Sequence, residues 1–276
     1  RGLGDVYKRQ FVYGPTPISN LKPTWSWNAV SGAVSYKIIL NGTLVASVSP
    51  LTRSYTPAQN LSNTSHTLQV IAVDSAGNES QPGIHVITID TIAPNVPNVS
   101  GEQFTNNRRP TWSWTATSGA VDYGVKLNDG NEFFTTSRSY RPSSNLSDGL
   151  YMLYVRARDA AGNVSAYNQY LIVIDTVSPP KPTFIRDQNT GAHFYTSRRP
   201  TIRWSPVLDA GCTGDDCVTY ETSLDWFETW EETPETDWTP SINLVDGYYN
   251  LCVRSKDKTV NVSEYEVFGF WVDNVA

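Results

Sequence analysis

Three short blocks recur in the same order three times along the chain, and this recurrence limits the fold more than any other feature of the sequence. Pro23-Thr24-Trp25-Ser26-Trp27 returns as Pro110-Thr111-Trp112-Ser113-Trp114 and, less closely, as Pro200-Thr201-Ile202-Arg203-Trp204. Arg53-Ser54-Tyr55-Thr56-Pro57 returns as Arg138-Ser139-Tyr140-Arg141-Pro142 and as Thr236-Asp237-Trp238-Thr239-Pro240. The third block is Asp74-Ser75-Ala76-Gly77-Asn78, then Asp159-Ala160-Ala161-Gly162-Asn163, then Asp257-Lys258-Thr259-Val260-Asn261. Each copy closes on an aspartate: Asp90, Asp175 or Asp273. The closing aspartates lie 85 and then 98 residues apart. A period of that length fits one small sandwich domain and is too long for a solenoid repeat.

Within each copy the apolar residues alternate with period two, the mark of half-buried strands. Trp25 and Trp27 share a face, as do Trp112 and Trp114, and Trp204 keeps the second of these positions. Tyr36, Tyr123 and Tyr220 open the next strand. A later strand reads His66, Leu68, Val70, Ala72, and its counterparts start at Tyr151 and Tyr249. The intervening positions are mostly polar, so one face is dry and one wet, as in antiparallel sheets. Asn41-Gly42 and Asp129-Gly130 suit tight hairpins. The repeated rings read as core: burying one Trp removes up to about 250 Å² from water, roughly 5 kcal/mol as an upper bound. A ligand platform is the rival reading of the same rings.

Composition closes off several function classes. Charged residues are only 17% of the 276-residue chain, aromatics are 12%, and the net charge is -6. An acidic surface argues against nucleic acid and against an anionic membrane. No apolar run is long enough for a membrane-spanning helix, so membrane attachment is expected only through parts outside this sequence. Residues 1–10 resemble a translated cloning adapter and are set aside. The remaining boundaries follow the repeats: 11–91, 92–176 and 177–276. Proline-rich joints, Ala93-Pro94-Asn95-Val96-Pro97 and Ser178-Pro179-Pro180-Lys181-Pro182, separate them and predict short, semi-rigid connections. The last copy stops short of the proline that follows the earlier ones, so the natural protein is expected to continue.

An early-strand Trp, a Tyr opening the next strand, and a late Tyr-x-Leu-x-Val-x-Ala strand running into Asp-x-x-Gly-Asn resemble bacterial Ig-like and fibronectin type III domains. The resemblance covers Phe11 onward. It implies an all-β chain of three tandem antiparallel β-sandwiches in an extended array. It also implies a cell-surface or extracellular location, with an extracellular protein or glycan as partner. Such repeats serve as stalks in bacterial adhesins or as spacers in secreted hydrolases. The fold itself assigns no activity. Two departures stand out: His66 replaces Tyr151 and Tyr249, and Val260 replaces Gly77 and Gly162, so the third loop is expected to turn differently.

The residues offer no catalytic constellation, and no enzyme and no organic cofactor are expected. The three histidines, His66, His85 and His193, are scattered. No phosphate loop, paired-histidine metal motif or nucleophile elbow occurs. All three cysteines lie in the last copy. Cys212 and Cys217 flank Gly214 in a seven-residue insertion, and a local disulfide between them suits an exported protein. Cys252 is a leftover thiol or a competitor for one of those two.

Two candidate sites remain. If the Asp-x-x-x-Asn loops lie at the end where the chain enters each domain, Asp159 and Asn163 approach Asp90, and Asp257 and Asn261 approach Asp175. Carboxylate and carbonyl oxygens of this kind suit Ca²⁺, which takes about 6–8 oxygens. The competing reading is turn chemistry alone, since Asp and Asn stabilise turns through their own backbone. The second candidate is Asp225-Trp226-Phe227-Glu228-Thr229-Trp230, which has no counterpart in the other copies. Trp226, Phe227 and Trp230 could stack on sugar faces, or they could cover the enlarged cysteine loop. The sequence thus points to a non-catalytic structural or adhesive spacer, with a carbohydrate-binding accessory region of a secreted hydrolase as the alternative.

Overall fold

The computed structural model describes residues 11–185, 194–209 and 217–274. His193 and Cys212 therefore lie outside the described residues. Every regular element among the described residues is a β-strand, and the 23 strands form six sheets. The chain divides into two compact units. One holds the residues up to Val99, Trp114–Arg138 and Tyr154–Gln169; the other holds Ser100–Ser113, Ser139–Leu153 and the residues from Tyr170 on. The dividing line runs through the middle repeat, so the units and the sequence repeats are different partitions of the chain.

The first repeat pairs a small sheet with a larger one. The small sheet has the order Val12–Tyr13, Trp25–Trp27, Ser54–Tyr55, and the larger has Thr43–Val48, Ala33–Leu40, Ser65–Asp74, Gly83–Thr88. The third repeat follows the same plan. Its small sheet runs Thr183–Phe184, Ile202–Ser205, Asp237–Trp238. Its larger sheet runs Phe194–Tyr195, Glu266–Val272, Gly247–Asp257, Val218–Ser223, Glu231–Thr233. In the middle repeat Trp112–Trp114 again lies beside Ser139–Tyr140, with Trp112 opposite Tyr140. Pairing is antiparallel except at one edge. Phe194–Tyr195 runs parallel to Glu266–Val272, as Phe104–Thr105 does to Asn168–Ile174 and Ile18 does to Ile89.

Alternation delivers the expected core. Trp25, Trp27, Trp112 and Trp204 are all within 1% of complete burial, and Trp114 and Tyr123 are nearly so. In each repeat the second Trp meets the following Tyr edge to face. Ring centroids are 5.9 Å apart for Trp27–Tyr36, 5.8 Å for Trp114–Tyr123 and 5.5 Å for Trp204–Tyr220. These rings act by volume, because the five indole N–H groups find no hydrogen-bond acceptor among the described residues. The tyrosine hydroxyl then ties down the preceding loop. It accepts a hydrogen bond from the N–H of Val30, Thr117 or Val207, at 2.8–3.0 Å. The bond spans 6 residues in the first two repeats and 13 in the third, so the seven inserted residues bulge out without disturbing it.

The structure corrects three expectations. Tyr151 and Tyr249 are half-buried rather than core residues. Their rings cap the sandwich because each hydroxyl reaches outward to donate to the carbonyl four residues back, Ser147 or Val245. His66 fills the same role: its Nε2 donates to the Ser62 carbonyl at 2.9 Å, and its Nδ1 lies 2.9 Å from the Asn41 amide. The Asp129-Gly130 turn is not the two-residue hairpin expected. Asn128 takes the left-handed conformation, and five residues separate Leu127 from Phe133. Asn41-Gly42 does form the tight turn, with φ of 51° and 82°. The third departure concerns Val260 and is described with its loop below.

Candidate functional site

Each Asp-x-x-x-Asn loop folds on itself first. The Asp74 carboxylate accepts the N–H groups of Ala76 and Asn78 on one oxygen and the Asn78 amide on the other. Asp159 repeats this with Ala161 and Asn163. Asp257 repeats it with Asn261 and adds the Thr259 hydroxyl. Asn78 holds the Asp74 carboxyl below its ordinary range, chiefly through its side-chain amide. Gly77 and Gly162 take positive φ, 84° and 88°, to close the turn. Val260 was expected to turn differently, yet it adopts the same conformation at φ 64°, and its N–H bonds the Asp257 carbonyl as Gly162 bonds Asp159. The carboxylate bonds hold the loop shape strongly enough to force a β-branched residue into a region it disfavours.

The asparagine amide has a second proton, and this one leaves the loop. Asn163 Nδ2 donates to the Asp90 carbonyl at 2.8 Å, and Asn261 Nδ2 donates to the Asp175 carbonyl at 2.9 Å. The residues named from sequence therefore come together at both joints, and they do so through backbone carbonyls. The Asp90 and Asp175 carboxylates turn to their own backbones, accepting the N–H groups of Ile92 and Val177. Each joint is thus a side-chain clamp assembled from protein groups alone.

The second joint carries more. Asp175, Asp257, Thr259 and Asn261 are all buried there, and Ser255 donates to the Pro180 carbonyl at 2.5 Å. Asp209, also buried, supplies a third carboxylate from the start of the insertion. One oxygen each from Asp175, Asp209 and Asp257 lies within 4.8 Å of the others. Phe104, Val173 and Lys258 complete the lining of this small space. Three carboxylates at this spacing are hard-oxygen donors of the kind Ca²⁺ takes. Among the described residues no such group gathers at the first joint. The sequence reading missed Asp209 because the insertion has no counterpart to align it with.

The third repeat's extra hairpin is a built structure. Asp225 caps it as the joint aspartates cap theirs, accepting the Thr229 N–H and hydroxyl and the Ser223 hydroxyl. These bonds, Thr229's foremost, push its carboxyl down to about 2. Trp226 and Phe227 both take positive φ, 59° and 76°. Phe227 stacks on Trp230 and lies 4.5 Å from the Tyr265 ring, while Arg254 sits over Trp230 at 4.0 Å. Phe227 and Trp230 are half-buried; Trp226 is 62% exposed. Cys252 faces this side of the sheet between Ser223 and Val267, yet it is fully buried and free, and burial pushes its thiol pKa up. Cys217 is disulfide-bonded; the Cys212 half of the expected bridge lies outside the described residues.

A further ring group escaped the sequence reading. Phe194, Trp271 and Tyr248 stand in one row on the outer face of the same sheet. Alternation within Glu266–Val272 carries the signal: Phe268, Phe270 and Val272 point inward, so Trp271 must point out.

Small and larger sheets around a Trp–Tyr core, one edge strand paired in parallel, and clamped joints define an Ig-like, fibronectin type III-like repeat region. Residues 97–176 match the family model described as bacterial Ig-like domain. The chain is 25% identical over 274 residues to Exoglucanase B of Cellulomonas fimi, covering 89% of this chain and 24% of that protein. It is 30% identical over 189 residues to Chitinase A1 of Niallia circulans, covering 63% of this chain and 25% of that one. The chain thus spans about a quarter of the length of these curated relatives. The fibronectin(III)-like modules of Clostridium thermocellum CbhA align with 14% identity and a TM-score of 0.43, over 60% of this chain and 94% of theirs. Among the described residues no helix is long and apolar enough to cross a membrane.

Proposed function

We propose that this region is a non-catalytic spacer of an extracellular polysaccharide-degrading protein, setting the separation of the parts it connects. The recurring clamp carries the reading: the same asparagine amide fixes the chain at Asp90 and at Asp175. A hydrogen-bonded joint limits bending, which is what a spacer needs and a floppy tether lacks. The kinship with an exoglucanase and a chitinase favours this placement over an adhesive stalk. Calcium belongs to the proposal at the second joint alone, where Asp209 supplies the third carboxylate. Trp226, the most exposed ring of the extra hairpin, is the remaining glycan contact from the sequence reading.

The test is a distance measurement across the first joint, between spin labels at the exposed Ser47 and Ser118. A narrow distribution that broadens in Asn163→Ala supports the spacer. A distribution as broad in the unmutated chain as in the variant refutes it.

A further inference from the structure

We propose that the outer face of the third repeat's larger sheet binds an uncharged polysaccharide chain, with Phe194, Trp271 and Tyr248 as its stacking surface. The class of ligand rests on the spacer reading above; the site itself rests on the following geometry. Phe194 and Tyr248 are the cross-strand neighbours of Trp271 on either side, so the rings form one row over three adjacent strands. Centroids are 6.4 Å apart for Phe194–Trp271, with the planes only 18° apart, and 5.3 Å for Tyr248–Trp271. All three rings are open to solvent, at 61%, 46% and 52%. Clustered exposure of this kind marks an interaction surface.

Gly269 shows that the row is built and not incidental. Tyr248 lies across it, and a Cβ at that position would collide with the tyrosine hydroxyl and ring. Glycine in a strand interior marks a close approach of this sort and weakens the strand otherwise. The fold does not require the rings. At the same positions the first repeat has Pro17, Thr88 and Ser65, and the middle repeat has Phe104, Val173 and Leu150. Both sheets form without an aromatic triad.

The chemistry of the face suits a neutral sugar polymer. Pyranose rings present apolar C–H faces to aromatic rings and a rim of hydroxyls to polar groups. Asn250 lies opposite Gly269, within the ring row, and can serve such a rim, as can the Tyr248 hydroxyl. The cations of this sheet are neutralised: Arg254 pairs with Glu221 at 2.7 Å, and Lys256 with Glu221 and Glu232 at 3.3 and 3.0 Å. No free positive field draws a nucleic acid or an acidic glycan. The same face runs on to Tyr265, about 20 Å away along the strand at roughly 3.3 Å per residue, long enough for several sugar units.

The experiment measures depletion of the full chain from solution by microcrystalline cellulose and by chitin. The expected result is saturable retention on at least one polymer, weakened at least tenfold in Trp271→Ala/Tyr248→Ala. Trp271→Phe should retain most of the binding. Gly269→Val, which alters no ring but displaces Tyr248, should weaken it severalfold. Ile84→Ala/Val86→Ala, on the first repeat, should leave it unchanged. Near-ultraviolet circular dichroism establishes that each variant is folded. Absence of retention of the folded chain on both polymers overturns the proposal, as does equal retention of the double variant. Self-association lost in the double variant, without retention on either polymer, assigns the face to a protein partner and also overturns it. None of these outcomes bears on the spacer reading, which stands or falls on the spin-label distances.

Discussion

The two joints use one device at different depths. At the first, Asn163 is half-buried and reaches one upstream carbonyl, that of Asp90. At the second, Asn261 is buried and its amide also lies 3.3 Å from the Val177 carbonyl and 2.8 Å from the Thr259 hydroxyl. Only the second joint adds Asp209 and gathers three carboxylates. The Asp74 loop of the first repeat has the same internal bonds and is largely exposed. The comparison teaches that the loop is an autonomous turn. Docking onto the chain upstream is a separate, graded addition, and neither needs a metal to form.

The sharpest way to separate the joints is calcium. At a hundredfold excess over its Kd, a ligand binding only the folded state adds about 2.7 kcal/mol. That gain should appear as hydrogen-exchange protection around Asp257, vanish in Asp209→Asn, and be missing around Asp159. Equal protection in calcium and in chelator would reduce the second joint to hydrogen bonds alone. Next in size is truncation of the clamp. Asn261→Ala should cost about 2 kcal/mol, because it strips a buried carboxylate of a partner, and Asn163→Ala about 1 kcal/mol. Equal losses in exchange protection would erase the difference in depth. Val260→Gly should relieve left-handed strain and gain about 1 kcal/mol, whereas Gly162→Val should lose a similar amount. Thermal melts of the two variants shifting in the same direction would show that the loops are not equivalent.

The smallest effect extends the comparison to the hairpin capped by Asp225, where Thr229 stands in place of the asparagine. Its folded pKa, about 2, lies below the ordinary 3.8. The folded state therefore favours the ionised form, and the contribution is fully present above pH 3.8. It is lost as pH falls through about 2. Trp226 fluorescence should hold steady down to pH 4 and change between pH 4 and 2. The Asp74 loop should weaken in the same direction on acidification. A fluorescence transition centred near 4 or above would show that the turn bonds do not stabilise the carboxylate.

Much of this was legible because it is local or periodic. Alternation placed Trp25, Trp27, Tyr36 and their counterparts inside, and the spacing of the blocks located the loops that meet Asp90 and Asp175. The equivalence of His66 to Tyr151 and Tyr249 was visible as an alignment, but not its cause, a hydrogen bond to the carbonyl four residues back.

The sequence alone determined an all-β chain, its repeated core and the turn chemistry of its loops, because strand alternation and Asp-to-backbone bonding act over a few residues. Tertiary structure decided the rest. It chose the asparagine amide over a metal ion as the first link at each joint and brought Asp209 to Asp175 from 34 positions along the chain. It also set Phe194, Trp271 and Tyr248 side by side. Such neighbours come from three strands whose register is fixed by packing, and no short-range pattern records which residues will meet across a sheet.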